Sequence, residues 1–221
     1  MLRTKALWMA RVDKLGDEWE MRVSETELLE MVDRNALPEH RRKERRDMIL
    51  AAILRARTWW YANCWTASDS ESHAMWSIYC SGIEGVAVRT TIETLRDSIT
   101  DAELKAVRYR RFEPHVEVQR TPIRLVIRKR PEFSYEREFR VLAERRPNGL
   151  PSEPIGPQPI GPVGFPMPWD PEQHLTEILV HPASDGAFRV SVEAVIEKFA
   201  PALSGCVRAS DLADIPPGLY P

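Results

Sequence analysis

The chain has 221 residues and is poor in several features that usually announce a function. It has three cysteines, Cys64, Cys80 and Cys206. They are odd in number and lack C-x-x-C spacing, which argues against a disulfide framework and a structural zinc site. No run approaches the roughly 18 apolar residues of a membrane span. The apolar patch Ala6 to Ala10, behind Met1-Leu2-Arg3-Thr4-Lys5, is too short for a signal-peptide core. A reduced, cytoplasmic protein with no membrane partner is expected. The net charge of −2 argues against bulk nucleic-acid binding, so a nucleic-acid partner is not indicated. Among five histidines no two share helical ligand spacing, and no metal cofactor is expected. P-loop, G-x-G-x-x-G and G-x-S-x-G patterns are absent.

What is present is unevenly spread. Six of the seven tryptophans (Trp8, Trp19, Trp59, Trp60, Trp65, Trp76) fall in the first 76 residues. Nine of the 18 prolines lie between Pro147 and Pro171. The first pool predicts an aromatic-rich core or pocket. The second predicts a long loop over 147–171, a lid or a contact for a partner protein. At 43% hydrophobic and 29% charged, the chain can bury a core.

Hydrophobic patterning predicts strands at Lys5–Val12, Tyr61–Thr66, Gly85–Arg89, Ala106–Phe112, Phe133–Ala143, Glu177–Val180 and Cys206–Arg208. Helices are predicted from the capping box Ser24/Glu27 to near Asn35, from Pro38 to about Arg57, and from Ser68, Asp69 or Ser70 to Cys80. Met75, Ile78 and Tyr79 share one face of the last. Further helices are expected from Thr90 with Glu93 over Ile92–Ser98, from Thr121-Pro122 through Ile127, and over Ser191–Phe199. The fold class is α+β: one domain over 1–221, with a mixed, mostly antiparallel sheet and flanking helices.

Three segments can carry chemistry. In Cys64–Trp76 a strand end, a hydroxyl-rich turn (Ser68, Ser70, Ser72) and a helix start coincide, which suits an anion such as a nucleotide phosphate. Plain capping explains the same residues. In Tyr135-Glu136-Arg137-Glu138-Phe139-Arg140, strand alternation would put Glu136, Glu138 and Arg140 on one face and Tyr135, Phe139 and Val141 on the other. Paired carboxylates suit acid–base work, while a solvated strand face reads the same way. The segment Arg11-Val12-Asp13 to Gly16-Asp17-Glu18-Trp19-Glu20 puts acids and aromatics after the first strand. The basic run Arg41–Arg46 could touch a phosphate backbone, although Glu44 and Asp47 dilute it.

These blocks resemble a large bacterial domain-of-unknown-function family, number twenty-nine seventy-one. The resemblance rests on Leu-Trp…Arg-Val-Asp…Gly-Asp-x-x-Glu (Leu7 to Glu20), Asn-Cys-Trp…Glu-Ser-x-x-Met-Trp-x-x-Tyr (Asn63 to Tyr79), Gly-Val-Ala-Val (Gly85 to Val88) and Phe-x-Tyr-Glu-x-Glu-x-Arg (Phe133 to Arg140). It covers nearly the whole chain and implies a site rather than a reaction. The motif residues are Trp65, Glu71, Ser72, Met75, Trp76, Tyr79, Glu136, Glu138 and Arg140, with Asp17 and Glu20 beside them. The layout is also similar to that of ADP-ribosyltransferases. That similarity implies Arg11 on the pyrophosphate of NAD, the Ser68/Ser70/Ser72 group at the ligand, and a stacking Trp or Tyr (Trp65, Trp76, Tyr79). It implies Glu136 and Glu138 as the late carboxylates, in a toxin or anti-phage effector, and with Glu71 and Arg140 of the motif blocks they make the expected catalytic set. Two alternatives keep the same residues. One is a nuclease with a divalent metal on Glu71, Glu136 and Glu138. The other is a non-catalytic module that senses a nucleotide-like ligand.

Overall fold

Alternating apolar residues build the first strand, β1 (Ala6–Arg11), whose Ala6, Leu7 and Met9 are buried while Trp8 faces out. The computed structural model describes residues 1–33, 38–111, 122–146 and 160–213. A 3-10 turn over Val12–Lys14 leads towards α1 (Glu25–Asp33). The capping box forms as expected: Glu27 N–H donates to Ser24 Oγ (3.2 Å), and Ser24 N–H donates to Glu27 Oε2 (2.8 Å). The stop near Asn35 lies outside the described residues. Pro38 is the N-cap of α2 (Glu39–Ala56), which is followed by β2 (Trp60–Thr66).

Further along come α3 (His73–Tyr79), β3 (Val86–Arg89), α4 (Ile92–Ser98) and β4 (Glu103–Ala106). Thr91, not Thr90, caps α4, accepting from Thr94 N–H at 3.0 Å. The expected strand at Ala106–Phe112 is two pieces, β4 and the short β5 (Arg108–Tyr109), and Phe112 lies outside the described residues. Then follow α5 (Pro122–Val126), β6 (Arg128–Lys129), a 3-10 turn over Pro131–Glu136, and β7 (Glu138–Glu144). Thr121, the expected start of α5, is not among the described residues.

The proline-rich stretch is not all loop. Residues 147–159 lie outside the described residues, but β8 (Gly164–Pro168) and the start of α6 (Pro171–His174) fall within 147–171. β8 tolerates Pro166 and Pro168 because it is an edge strand. A Cβ on Gly164 would lie 2.5 Å from the Trp8 ring and 2.7 Å from Met9 O, so only glycine lets the chain pass here. The chain ends with β9 (Glu177–Val180), α7 (Gly186–Phe199), a 3-10 turn over Pro201–Cys206 and β10 (Val207–Ala209). α7 starts five residues before the expected Ser191, because Asp185 accepts from Phe188 N–H at 2.8 Å and caps it.

Helices and mainly antiparallel sheets make this an α+β protein, as expected. Five strands pair in the order β4-β7-β2-β1-β8, with β1·β2, β2·β7 and β4·β7 antiparallel. Three pair as β10-β9-β3, β9 being parallel to β10 and antiparallel to β3. The parallel pair β5-β6 forms a third sheet. The chain divides into two compact units. One comprises Trp8–Thr66 and Asp101–Pro166. Its core packs Trp60, Ala62 and Leu142 of the large sheet against Val12, Met21, Ala56 and Leu125–Ile127. The other comprises Met1–Leu7, Ala67–Thr100 and the chain from Met167. There Ile178, Leu179 and Val180 are all buried, the mark of a central strand covered on both faces. Among the described residues no helix is long and apolar enough to cross a membrane.

Candidate functional site

β7 carries the densest polar chemistry. Side chains at 138, 140 and 142 share a face, and Leu142 on that face belongs to the core. Segments 12–21 and 125–127 cover it, so Glu138 and Arg140 are buried rather than solvated, and β7 is not the half-exposed strand its charges suggested. Arg140 is 1% exposed. Its Nε donates to Glu138 Oε1 (2.7 Å) and its Nη2 to Glu138 Oε2 (3.1 Å). Nη2 and Nη1 also donate to Glu20 (2.6 and 2.8 Å), and Nη1 to the Val126 carbonyl (2.5 Å). Five guanidinium protons thus have five acceptors. The Gly-Asp-x-x-Glu and Glu-x-Glu-x-Arg blocks, 120 residues apart, meet at this pair.

Glu136 is not on the strand. It closes the 3-10 turn, and Arg137 then takes a left-handed conformation (φ 44°) before β7 begins. Strand alternation therefore cannot bring Glu136 beside Glu138. Lys129 does so instead, donating to Glu136 Oε2 and, at 3.3 Å, to Glu138 Oε2. Tyr135, expected on one face with Phe139 and Val141, is exposed, whereas Val141 is fully buried. The Tyr109 hydroxyl accepts from Glu138 N–H at 2.8 Å.

Burial pushes the Glu138 carboxyl up, but Arg140, with smaller help from Cys64 and Lys129, holds it below the usual carboxylate range. For Glu20 burial wins over Arg140, and its carboxyl lies above that range. Burial lowers the affinity of Lys129 and Arg140 for their protons, yet the carboxylates raise both overall. Among the described residues, Glu20, Glu136 and Glu138 gather around Lys129 and Arg140. A carboxylate held ionised in this way is a weak base at neutral pH and a good acceptor for a hydroxyl or a developing cation.

The other expected site residues go elsewhere. Arg11 Nε and Nη2 donate to Asp13 (2.6 and 3.1 Å), and Nη1 donates to the Gly161 carbonyl. Arg11 opposes Tyr61, which opposes Ala143. By alternation Arg11 is on the other face of the sheet from Glu138, five positions further along β7. Trp65 pairs with Phe139 across β2 and β7, also on that other face. Glu71 belongs to the unit that contains β3, β9 and β10. It accepts from Ser210 Oγ (2.6 Å), Asp211 N–H (2.6 Å) and Trp76 Nε1 (3.0 Å). Trp76 is buried, its ring edge-on to His181 at 5.2 Å, so it is core rather than the wall of a cleft. Ser68 and Ser70 do not cap α3. Ser72 does, accepting from Met75 N–H at 3.4 Å, and Ser68 Oγ accepts from Ser70 N–H. The shared face of Ile78 and Tyr79 is exposed, because Trp76 is the residue that α3 buries.

Burial raises the Glu71 carboxyl, and its three hydrogen bonds more than reverse this, placing it below its ordinary 4.5. The unfolded chain then binds the extra proton. Glu71 and Glu138 therefore contribute stability that is complete above about pH 4.5 and lost as pH falls through their folded values. Glu20, raised above 4.5, has the opposite sign, its contribution falling as pH rises from 4.5 to its folded value. Glu71→Gln is expected to flatten the acid side of a stability–pH curve from urea melts between about pH 3 and 6. An acid limb as steep as that of the unchanged protein would refute the assignment.

Sequence reasoning missed Lys129 and Tyr109. The available signal was the basic run Arg128-Lys129-Arg130. Arg128 pairs with Glu27, Lys129 with Glu136 and Glu138, and Arg130 with Asp17 (3.2 Å). Among the described residues no three His, Cys, Asp or Glu side chains are grouped to hold a metal ion. Between Glu136 and Glu138 an ammonium already occupies the place of a cation. The class defined by fold and site is thus an α+β protein with a buried carboxylate–cation cluster at the start of a central strand. Comparisons with protein-family models, curated proteins and solved structures find no match.

Proposed function

We propose that the Glu138 cluster is the site for a nucleotide-like ligand and that its chemistry is ADP-ribosyltransferase-like, with NAD as substrate. One observation carries this reading: Glu138 is held ionised at the head of β7 by Arg140 and Lys129. Such a group would accept the ribose 2′-hydroxyl and stabilise the oxocarbenium-like charge that forms as nicotinamide leaves. Glu138 is the residue in that role, Glu136 its partner through Lys129, and Arg140 the anchor. Incubation with NAD is expected to release nicotinamide. Glu138→Gln is expected to slow this by about 10²–10³-fold while the protein stays folded. Intact NAD across protein, nucleic-acid and water acceptors would sink the reading.

A second reading is a non-catalytic nucleotide-binding module. It is favoured by Arg11, whose donors are engaged by Asp13 and Gly161 on the opposite face from Glu138. Under it, NAD or AMP would raise the melting temperature without turnover.

A further inference from the structure

The chain makes a tight reversal between β6 and β7. It leaves the short parallel ladder at Lys129, turns through Pro131–Glu136, passes the left-handed Arg137, and enters β7 at Glu138. In the ladder Tyr109 is the register partner of Lys129. Tyr109 reaches Glu138 through its backbone N–H, and Lys129 reaches it through its carboxylate. Lys129 also grips Glu136 at the far end of the turn, and its ammonium lies 4.7 Å from the Phe133 ring within the turn. The neighbours on either side, Arg128 and Arg130, are tied to Glu27 and Asp17, so the strand that carries Lys129 is itself pinned. Its side chain is only 9% exposed, and the two carboxylates 5% each.

We infer that Lys129 is a positioning residue: with Tyr109 as its ladder partner, it ties both ends of the 131–136 turn together and sets where the Glu138 carboxylate points. Arg140 also holds that carboxylate, but from β7 itself, two residues away. Arg140 therefore cannot set the angle at which the turn enters the strand. Lys129 can, because it belongs to a different strand and touches both carboxylates at once. A misdirected carboxylate would still bind ligand but would meet the developing charge less well.

The turnover arm of the test rests on the reading proposed above, and the spectroscopic arm does not. Lys129→Met and Lys129→Arg are compared with the unchanged protein, with circular dichroism as a check on folding. In the spectroscopic arm, the carbon-13 signal of the Glu138 carboxyl is titrated. Its midpoint is expected to move to higher pH in Lys129→Met and to return towards the original in Lys129→Arg. In the turnover arm, kcat for NAD cleavage falls about tenfold or more in Lys129→Met with KM little changed, and Lys129→Arg restores part of it. If Lys129→Met does not fold, Tyr109→Phe removes a single oxygen. Its expected signature is a displaced Glu138 amide signal and a kcat loss of the same kind. A folded Lys129→Met, or a folded Tyr109→Phe, whose Glu138 signals overlay those of the unchanged protein would overturn the inference. Intact NAD combined with shifted Glu138 signals would overturn the proposed reaction and leave the positioning role standing.

Discussion

Arg140→Met is expected to cost about 3–5 kcal/mol of folding stability, read as a lower urea midpoint at unchanged slope. The guanidinium gives hydrogen bonds to two buried carboxylates and the Val126 carbonyl. Methionine replaces the aliphatic stem and has no donor, so Glu20 and Glu138 would remain buried without their main counter-charge. The cost lies in those stranded acids rather than in the worth of the ion pair itself. Adding Glu20→Gln and Glu138→Gln should therefore recover much of the loss, and the single effects should be strongly non-additive. A near-neutral Arg140→Met would mean that the cluster is open to water.

Trp76→Ala is expected to cost about 3–5 kcal/mol, and Trp76→Phe about 1.5–3 kcal/mol. The first change deletes a buried indole that packs edge-on against His181. The second keeps a six-membered ring but removes the N–H that donates to Glu71 together with the rest of the five-membered ring. That carboxylate would keep Ser210 and Asp211 as donors, so the acid limb assigned to Glu71 should shrink but not vanish in Trp76→Phe. Thermal melts of both variants, with an acid series for the phenylalanine, check this. Equal stability for the two would show that a phenyl ring restores none of the packing, and that the complete hydrogen-bonded indole is what holds α3 down.

The readable parts of the fold were those where local chemistry and tertiary packing agree. The Ser24/Glu27 capping box closes both of its hydrogen bonds. The helix Ile92–Ser98 and the strand Glu177–Val180 match expectation residue for residue. α3 illustrates the failure. Its apolar period pointed to Met75, Ile78 and Tyr79, yet the buried residue is Trp76, because Glu71 and His181 offer the indole its partners. β8 was hidden by prolines that an edge strand accepts, and edge position is a property of the assembled sheet.

The site divides in the same way. Composition and local spacing by themselves determined an α+β chain, the strand that carries Glu138 and Arg140, and an acid block at Asp17 to Glu20. They also determined, through strand period, that Glu138 and Arg140 share a face. Only the tertiary structure decided that this face is inside. It set Glu20 against Arg140 from 120 residues away, placed Lys129 between Glu136 and Glu138, and left Arg11 on the opposite face. The physical reason is that side-chain alternation is a local property of extended backbone, whereas burial depends on which distant segments cover the sheet. A charged strand face reads identically whether water or residues 12–21 and 125–127 lie over it.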